Sequence, residues 1–218
     1  MCGGRGTRLD GTTEKPLRTV AGRPMVDRVL DALAASRAET THAVVSPHAT
    51  RTRAHLAERA EGAASLSVVD APGNGYVADL RYALDAIDAT DAAGAPVLTV
   101  AADLPLLDGA AVNAVLAAAR AAAGDSLTVC VPAARKRELG VSADATTEMG
   151  GREVVPAGIN VVGGSAADGD EGDGEQDAGG AVHLTDDARV AVNVNYPSDV
   201  RTAERLLRAD TAGGDTDT

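Results

Sequence analysis

Short apolar runs and helical patterns alternate along roughly the first 130 residues, and this alternation restricts the chain to few folds. The run Pro96-Val97-Leu98-Thr99-Val100-Ala101 is apolar at nearly every position, which suits a strand buried on both faces. Asp103 follows it directly. Upstream, residues 24–36 place Val26, Val29, Leu30 and Leu33 on one helical face, with Pro24 suited to a first helical turn. Ala43-Val44-Val45 reads as a strand leading to Ser46-Pro47, and a polar helix is expected over about 50–60. Next come Leu66-Ser67-Val68-Val69, a Pro72-Gly73-Asn74-Gly75 turn, a helical pattern over 76–88, a helix at 109–123 and a strand at 126–131. Strands separated by helices imply an α/β, Rossmann-like fold. Its central sheet is expected to be mostly parallel, with helices on both faces and ligands at the carboxyl ends of the strands.

With 218 residues and 44% hydrophobic content the chain can bury one continuous core, and residues 1–208 are expected to form a single domain. That core must be built from Ala, Val, Leu and Ile, because there is no Phe, no Trp and only three Tyr. Residues 163–180 carry six acidic and no basic side chains among many glycines, the composition of a solvated insertion, and 209–218 reads as a disordered tail. The start breaks the pattern. Met1-Cys2-Gly3-Gly4 leaves no room for a strand ahead of the glycine-rich segment. Either that strand is absent or Met1 is an internal methionine; the second reading is favoured, since losing a central strand would expose two neighbouring edges.

The formal net charge is -12, and 18 of the 20 basic residues are Arg, with Lys only at Lys15 and Lys136. Residues 1–25 hold five basic and two acidic side chains, a local +3 against -15 for the remainder. An acidic body opposes binding to nucleic acid or an anionic membrane, whereas a local positive cluster selects a small anion. Scarce aromatics also remove stacking platforms for bases. Low Lys and abundant Asp and Glu resemble proteins of salt-loving, archaeal type, so the thermal midpoint is expected to rise with potassium chloride concentration. Highest stability and solubility at low salt would refute that reading. Cys2 and Cys130 show no metal-ligand spacing or disulfide pattern, and no membrane-length apolar run or secretion signal is seen, which points to the cytoplasm. His42, His48, His55 and His183 are scattered without metal or triad spacing.

The chemistry is concentrated in Gly3-Gly4-Arg5-Gly6-Thr7-Arg8-Leu9 followed by Glu14-Lys15-Pro16-Leu17. Glycines let backbone N–H groups approach phosphate, Arg5, Arg8 and Lys15 supply cations, and Thr7 adds a hydroxyl donor. This is a triphosphate cradle. It lacks the Gly-Lys-Ser/Thr of a P-loop and the spacing of a dinucleotide fingerprint. Asp103, just beyond a buried strand, is placed to fix a magnesium ion bridging phosphate oxygens, while Asp108 can cap the following helix.

These residues resemble the nucleotidyltransferase family that shares a Gly-Gly-x-Gly-Thr-Arg-Leu…Lys-Pro signature, whose members activate sugar phosphates, molybdopterin, phospholactate or cobinamide phosphate. The resemblance implies that Gly3, Gly4, Arg5, Gly6, Thr7 and Arg8 hold the triphosphate, that Lys15 neutralises it, and that Asp103 binds Mg2+. Arg8, Lys15 and Asp103 would be the catalytic set. Three further segments, Gly73 to Leu80, Val155 to Val162 and Asn193 to Asp199, look like the archaeal guanylyltransferases of adenosylcobinamide phosphate. The third, Asn193-Val194-Asn195-Tyr196-Pro197, is also similar to molybdenum-cofactor guanylyltransferases. On this resemblance Gly75 and Asp79 contribute to the nucleotide site, with Asp79 reaching ribose or acceptor, and Gly158, Asn160, Asn193 and Asn195 lie near acceptor or metal. The partners implied are GTP and adenosylcobinamide phosphate, with a homodimer as the alternative to a monomer. Other acceptors, or a non-catalytic nucleotide-binding regulator, remain open readings.

Overall fold

The computed structural model describes residues 1–2, 8–9, 13–88, 95–122, 126–163 and 180–213. A single 3-10 turn, Lys15–Leu17, leads into a small antiparallel hairpin of β1 (Thr19–Val20) and β2 (Arg23–Pro24). Then follow α1 (Met25–Ala34), β3 (Thr41–Val45), α2 (Thr50–Glu61), β4 (Leu66–Asp70) and α3 (Tyr76–Asp88). After these come β5 (Val97–Val100), α4 (Gly109–Ala121) and β6 (Leu127–Pro132). From α1 to β6 each element lies within a few residues of its expected bounds. Pro24 takes the N-cap position, one residue ahead of the first turn, and Asp108 caps α4 by accepting from the Ala111 N–H.

The chain continues through α5 (Ala133–Leu139), β7 (Thr147–Met149), β8 (Arg152–Val162), β9 (Ala181–Leu184), the short α6 (Ala188–Ala191) and α7 (Pro197–Gly213). Helix α7 therefore runs into the span 209–218 expected as a tail, carried there by an apolar stripe of Val200, Ala203, Leu206 and Leu207 on the main core. Most of the acidic insertion, 164–179, and residues 214–218 lie outside the described residues.

β3 and β4 pair in parallel, and β6 and β9 pair in parallel. Between β5 and β6 runs β8, antiparallel to both, and its first residues also pair with β7. The α/β architecture with helices on both faces is as expected; the sheet is mixed, with β8 running antiparallel to β5 and β6. The reason is connectivity: β8 leaves β7 through a Gly150-Gly151 turn and so must return antiparallel.

The interior is aliphatic. One cluster joins α1 and α4 to β5, β6 and β8 through Val29, Val112, Val115, Val129 and Ile159. A second packs Val26 and Leu30 of α1 against Ala43 and Val45 of β3. Neighbouring Val44 points the other way, onto Ala83 of α3. Because successive strand side chains alternate, α1 and α3 cover opposite faces.

Met1 and Cys2 lie between β3 and β5. Met1 donates from its terminal ammonium to the Val100 carbonyl at 2.9 Å and accepts from the Ala102 N–H at 3.3 Å, while the Cys2 N–H donates to the Val44 carbonyl at 2.8 Å.

Candidate active site

Lys15 is positioned by its neighbours on both sides. Pro16 is the middle residue of the 3-10 turn, and the Glu14 carboxylate reaches the start of α2, where Ala49 offers no side-chain cap. There Glu14 accepts from the Arg51 N–H at 3.1 Å, the Thr52 N–H at 2.7 Å and the Thr52 hydroxyl at 2.6 Å. It serves as a cap supplied from outside the helix. Burial alone would raise the Glu14 pKa, but the hydrogen bonds from Thr52 and Arg51 outweigh it and hold the carboxyl below its usual value. The sign follows from linkage: with the folded pKa depressed, Glu14 contributes stability above its unfolded pKa and loses it as pH falls through the lower folded value. Glu14→Ala should therefore lower the thermal midpoint at neutral pH and narrow its gap to the parent protein in strong acid. A gap that is constant with pH in an acid titration would contradict this.

So held, Lys15 Nζ donates to Asp103 Oδ2 at 2.5 Å and to Asn195 Oδ1 at 2.8 Å. Asp103 stands in the turn after β5, as its place beyond a buried strand required. Its backbone carbonyl accepts from the Val194 N–H at 2.9 Å, which ties the strand end to the Asn193–Asn195 segment. That segment is clamped in turn by Asp199 in the first turn of α7. This fully buried carboxylate accepts from the N–H groups of Asn195 and Tyr196 and from both the N–H and the hydroxyl of Ser142.

The chain's other lysine meets the same tripeptide. Lys136 on α5 is 2% exposed and donates to Asn193 Oδ1 at 2.5 Å and to the Ala191 carbonyl at 2.8 Å. Burial pushes its pKa down, and the fields of Asp199, Asp103 and Asp144 offset part of that shift. Both lysines thus converge on Asn193-x-Asn195, one on each asparagine. Neither Lys136 nor Asp199 is singled out by sequence reasoning, although the scarcity of lysine was a usable signal.

Arg8 lies at the rim, its guanidinium 3.1 Å from Asp144 Oδ2 and 5.9 Å from the centre of the Tyr196 ring. Hydrogen bonding to Asp144 pushes the Tyr196 phenol up in pKa. The expected cradle residues Gly3, Gly4, Arg5, Gly6 and Thr7 lie outside the described residues.

Other expected site residues are placed differently. Asp79 is 5% exposed and turned inward: Oδ1 accepts from the Gly73 and Asn74 N–H groups, and Oδ2 from the Ser46 hydroxyl. Its oxygens fold the 73–75 turn against Ser46. Gly75, at the end of that turn, is exposed. Asn160 lies within β8, paired with Thr99 and Thr128, one register step inside the strand ends. Gly158 is nearer the site, since its carbonyl accepts from the Ala101 N–H at 2.8 Å. It has φ +75°, and an added Cβ would come within 2.9 Å of the Ala101 Cβ, two residues before Asp103. Gly158→Ala is expected to cost about 1–3 kcal/mol and to lower turnover by displacing the end of β5; unaltered unfolding and kinetics would show that the strand end yields freely.

A strand-end carboxylate, an ammonium group bound to it and an amide from a third segment thus meet at the carboxyl edge of an α/β sheet. Comparison with known proteins gives this geometry a class. The profile of the MobA-like NTP transferase domain family matches residues 1–165, and the chain belongs to that family. The chain is 26% identical over 215 residues to the adenosylcobinamide-phosphate guanylyltransferase of Methanocaldococcus jannaschii, covering 96% of each chain. It is also 32% identical over 108 residues to the bifunctional protein GlmU of Bifidobacterium longum subsp. infantis, half of this chain but 23% of that one.

Among solved structures, a CMP:2-keto-3-deoxy-manno-octonic acid synthetase complexed with CTP superposes with TM-score 0.60 at 15% identity, covering 93% of this chain and 95% of that one. A Bacillus anthracis protein solved with a sucrose gives TM-score 0.65 at 12% identity, covering 95% and 93%. These structural likenesses establish the fold, that of nucleotide-diphospho-sugar transferases. No helix among the described residues is long and apolar enough to cross a membrane.

Proposed function

We propose that the protein is a cytoplasmic guanylyltransferase that transfers GMP from GTP to adenosylcobinamide phosphate, giving adenosylcobinamide-GDP and pyrophosphate. The observation that carries the acceptor is the correspondence with the Methanocaldococcus jannaschii enzyme along 96% of both chains. Nucleotidyl transfer itself rests on the family and is supported by the Lys15–Asp103–Asn195 constellation.

The acceptor is a phosphate monoester with a second pKa of roughly 6, so its oxygen is already ionised at neutral pH and no general base is needed. That oxygen attacks the α-phosphorus of GTP, the bond from the α-phosphorus to the bridging oxygen breaks, and pyrophosphate leaves with the electron pair. The site's work is alignment and charge stabilisation. Lys15 neutralises the triphosphate, and Arg8 at the rim adds a second cation.

Asp103 Oδ2 and Asn195 Oδ1 converge on one point, occupied by Lys15 Nζ. Two hard oxygens at a strand end suit Mg2+, which takes one or two protein oxygens and completes its shell with phosphate and water. Asp103 and Asn195 would hold it, with Lys15 turning to the phosphates, and the bound ion would supply further neutralisation of phosphate charge.

The test is pyrophosphate release with Mg2+ in high potassium chloride, pairing GTP, ATP or CTP with adenosylcobinamide phosphate, molybdopterin, phospholactate or a sugar phosphate. Release with GTP and the cobinamide acceptor supports the proposal. Release only with another acceptor would move the enzyme elsewhere in its family, and nucleotide binding without turnover would make it a regulator.

A further inference from the structure

We propose that Lys136 is a positioning residue for phosphate recognition: it fixes the Asn193 amide so that the NH2 group, and not the oxygen, is presented to the ligand and donates to a phosphate oxygen. This rests on the nucleotidyltransferase reading of the Lys15–Asp103–Asn195 constellation. Three observations carry it.

The first is the polarity of the amide. An ammonium group has three donors and no acceptor, so the Asn193 atom 2.5 Å from Lys136 Nζ must be Oδ1; the flipped amide would set donor against donor. Among the described residues every buried side-chain nitrogen and oxygen has a partner, whereas Nδ2 of the half-buried Asn193 donates to none of them. Its two N–H groups are left for a ligand.

The second is rigidity. Lys136 is 2% exposed and also donates to the Ala191 carbonyl, so it holds both the Asn193 side chain and the backbone that leads into it. Lys15, on Asn195, is 16% exposed and has room to turn toward phosphate, which releases the Asn195 oxygen. The two asparagines therefore take different parts. Asn195 offers an oxygen, and Asn193 offers donors only.

The third is placement. Val194 is fully buried and its N–H bonds the Asp103 carbonyl, so the asparagines on either side flank the strand end that carries Asp103. The Lys136 ammonium is spent on Oδ1 and on a backbone carbonyl. What reaches the ligand is thus a neutral amide, its N–H groups made stronger donors by the cation behind it.

The experiment measures steady-state kinetics and thermal unfolding in high potassium chloride for the parent, Asn193→Asp, Asn193→Ala, Lys136→Met and the double variant Lys136→Met with Asn193→Ala. The substrates are a nucleotide and acceptor pair that the parent turns over. Asn193→Asp keeps an oxygen against Lys136 and puts a second oxygen where the donor was. Its thermal midpoint should match or exceed the parent's, while kcat/KM falls about a hundredfold through a higher KM. Whichever KM rises, that of the nucleotide or that of the acceptor, identifies the phosphate that Asn193 holds. Lys136→Met should lower kcat/KM about tenfold in the parent and have no further effect on it in the Asn193→Ala background, because it acts through that amide. An Asn193→Asp variant with parental kcat/KM overturns the proposal, and so does a Lys136→Met effect of equal size in both backgrounds. Where Lys136→Met fails to fold, the Asn193→Asp result decides alone. A parent that turns over no pair ends the nucleotidyltransferase reading and this one together, whereas an active parent with an unaffected Asn193→Asp ends this one only.

Discussion

Asp103→Ala is expected to lower pyrophosphate release about a thousandfold with a folded, nucleotide-binding protein remaining. The carboxylate touches Lys15 and lies against the end of β5, while the contact that holds the strand end, from the Val194 N–H, goes to the Asp103 backbone and survives the substitution. The loss should therefore fall on turnover and on the magnesium dependence, not on the thermal midpoint. Asp103→Asn keeps the shape and one oxygen donor but removes the charge, and should recover only a small part of the activity. A variant retaining a tenth or more of parental turnover would remove Asp103 from the chemistry.

Asp199→Ala should do the opposite, damaging the fold first. Its carboxylate is wholly buried and accepts four hydrogen bonds, from Ser142 twice, Asn195 and Tyr196. Alanine leaves those donors buried without partners, at a cost of about 3–5 kcal/mol. For a chain of this size that corresponds to a midpoint lower by roughly 10 °C. Turnover should fall as well, because the Asn195 backbone loses the acceptor that holds its side chain toward Lys15. Thermal unfolding in high potassium chloride measures the first effect, and a drop below about 2 °C would mean that water replaces the carboxylate at little cost.

The two residues also mark how far sequence reasoning reaches. The position of Asp103 was legible because a buried strand announces its own end: the apolar run up to Ala101 fixes β5, and Asp103 follows in the turn after it. The elements from α1 to β6 were legible for the same local reason. Beyond β6 local signals weaken. Pro156 and Gly158 both lie inside β8, where a register shift against β6 and contact with Ala101 accommodate them. That β8 is antiparallel depends on pairing across the sheet, which no window of sequence contains. The hydrogen bonds from the Gly73 and Asn74 N–H groups to Asp79 were not legible either, because they depend on how the turn folds back on the helix. Lys136 and Asp199 act on residues 57 positions away, a separation that periodicity cannot see.

The convergence of both lysines on one Asn-x-Asn tripeptide makes the chain's rarest cation a locator. Wherever a cation only had to be positive, this chain has arginine, a wide planar fork that needs room for its donors. At two points a compact ammonium sits between closely set oxygens, and there the chain has lysine. In this chain the two lysines mark two crowded polar contacts of a single tripeptide, where the wider guanidinium fork would lack room.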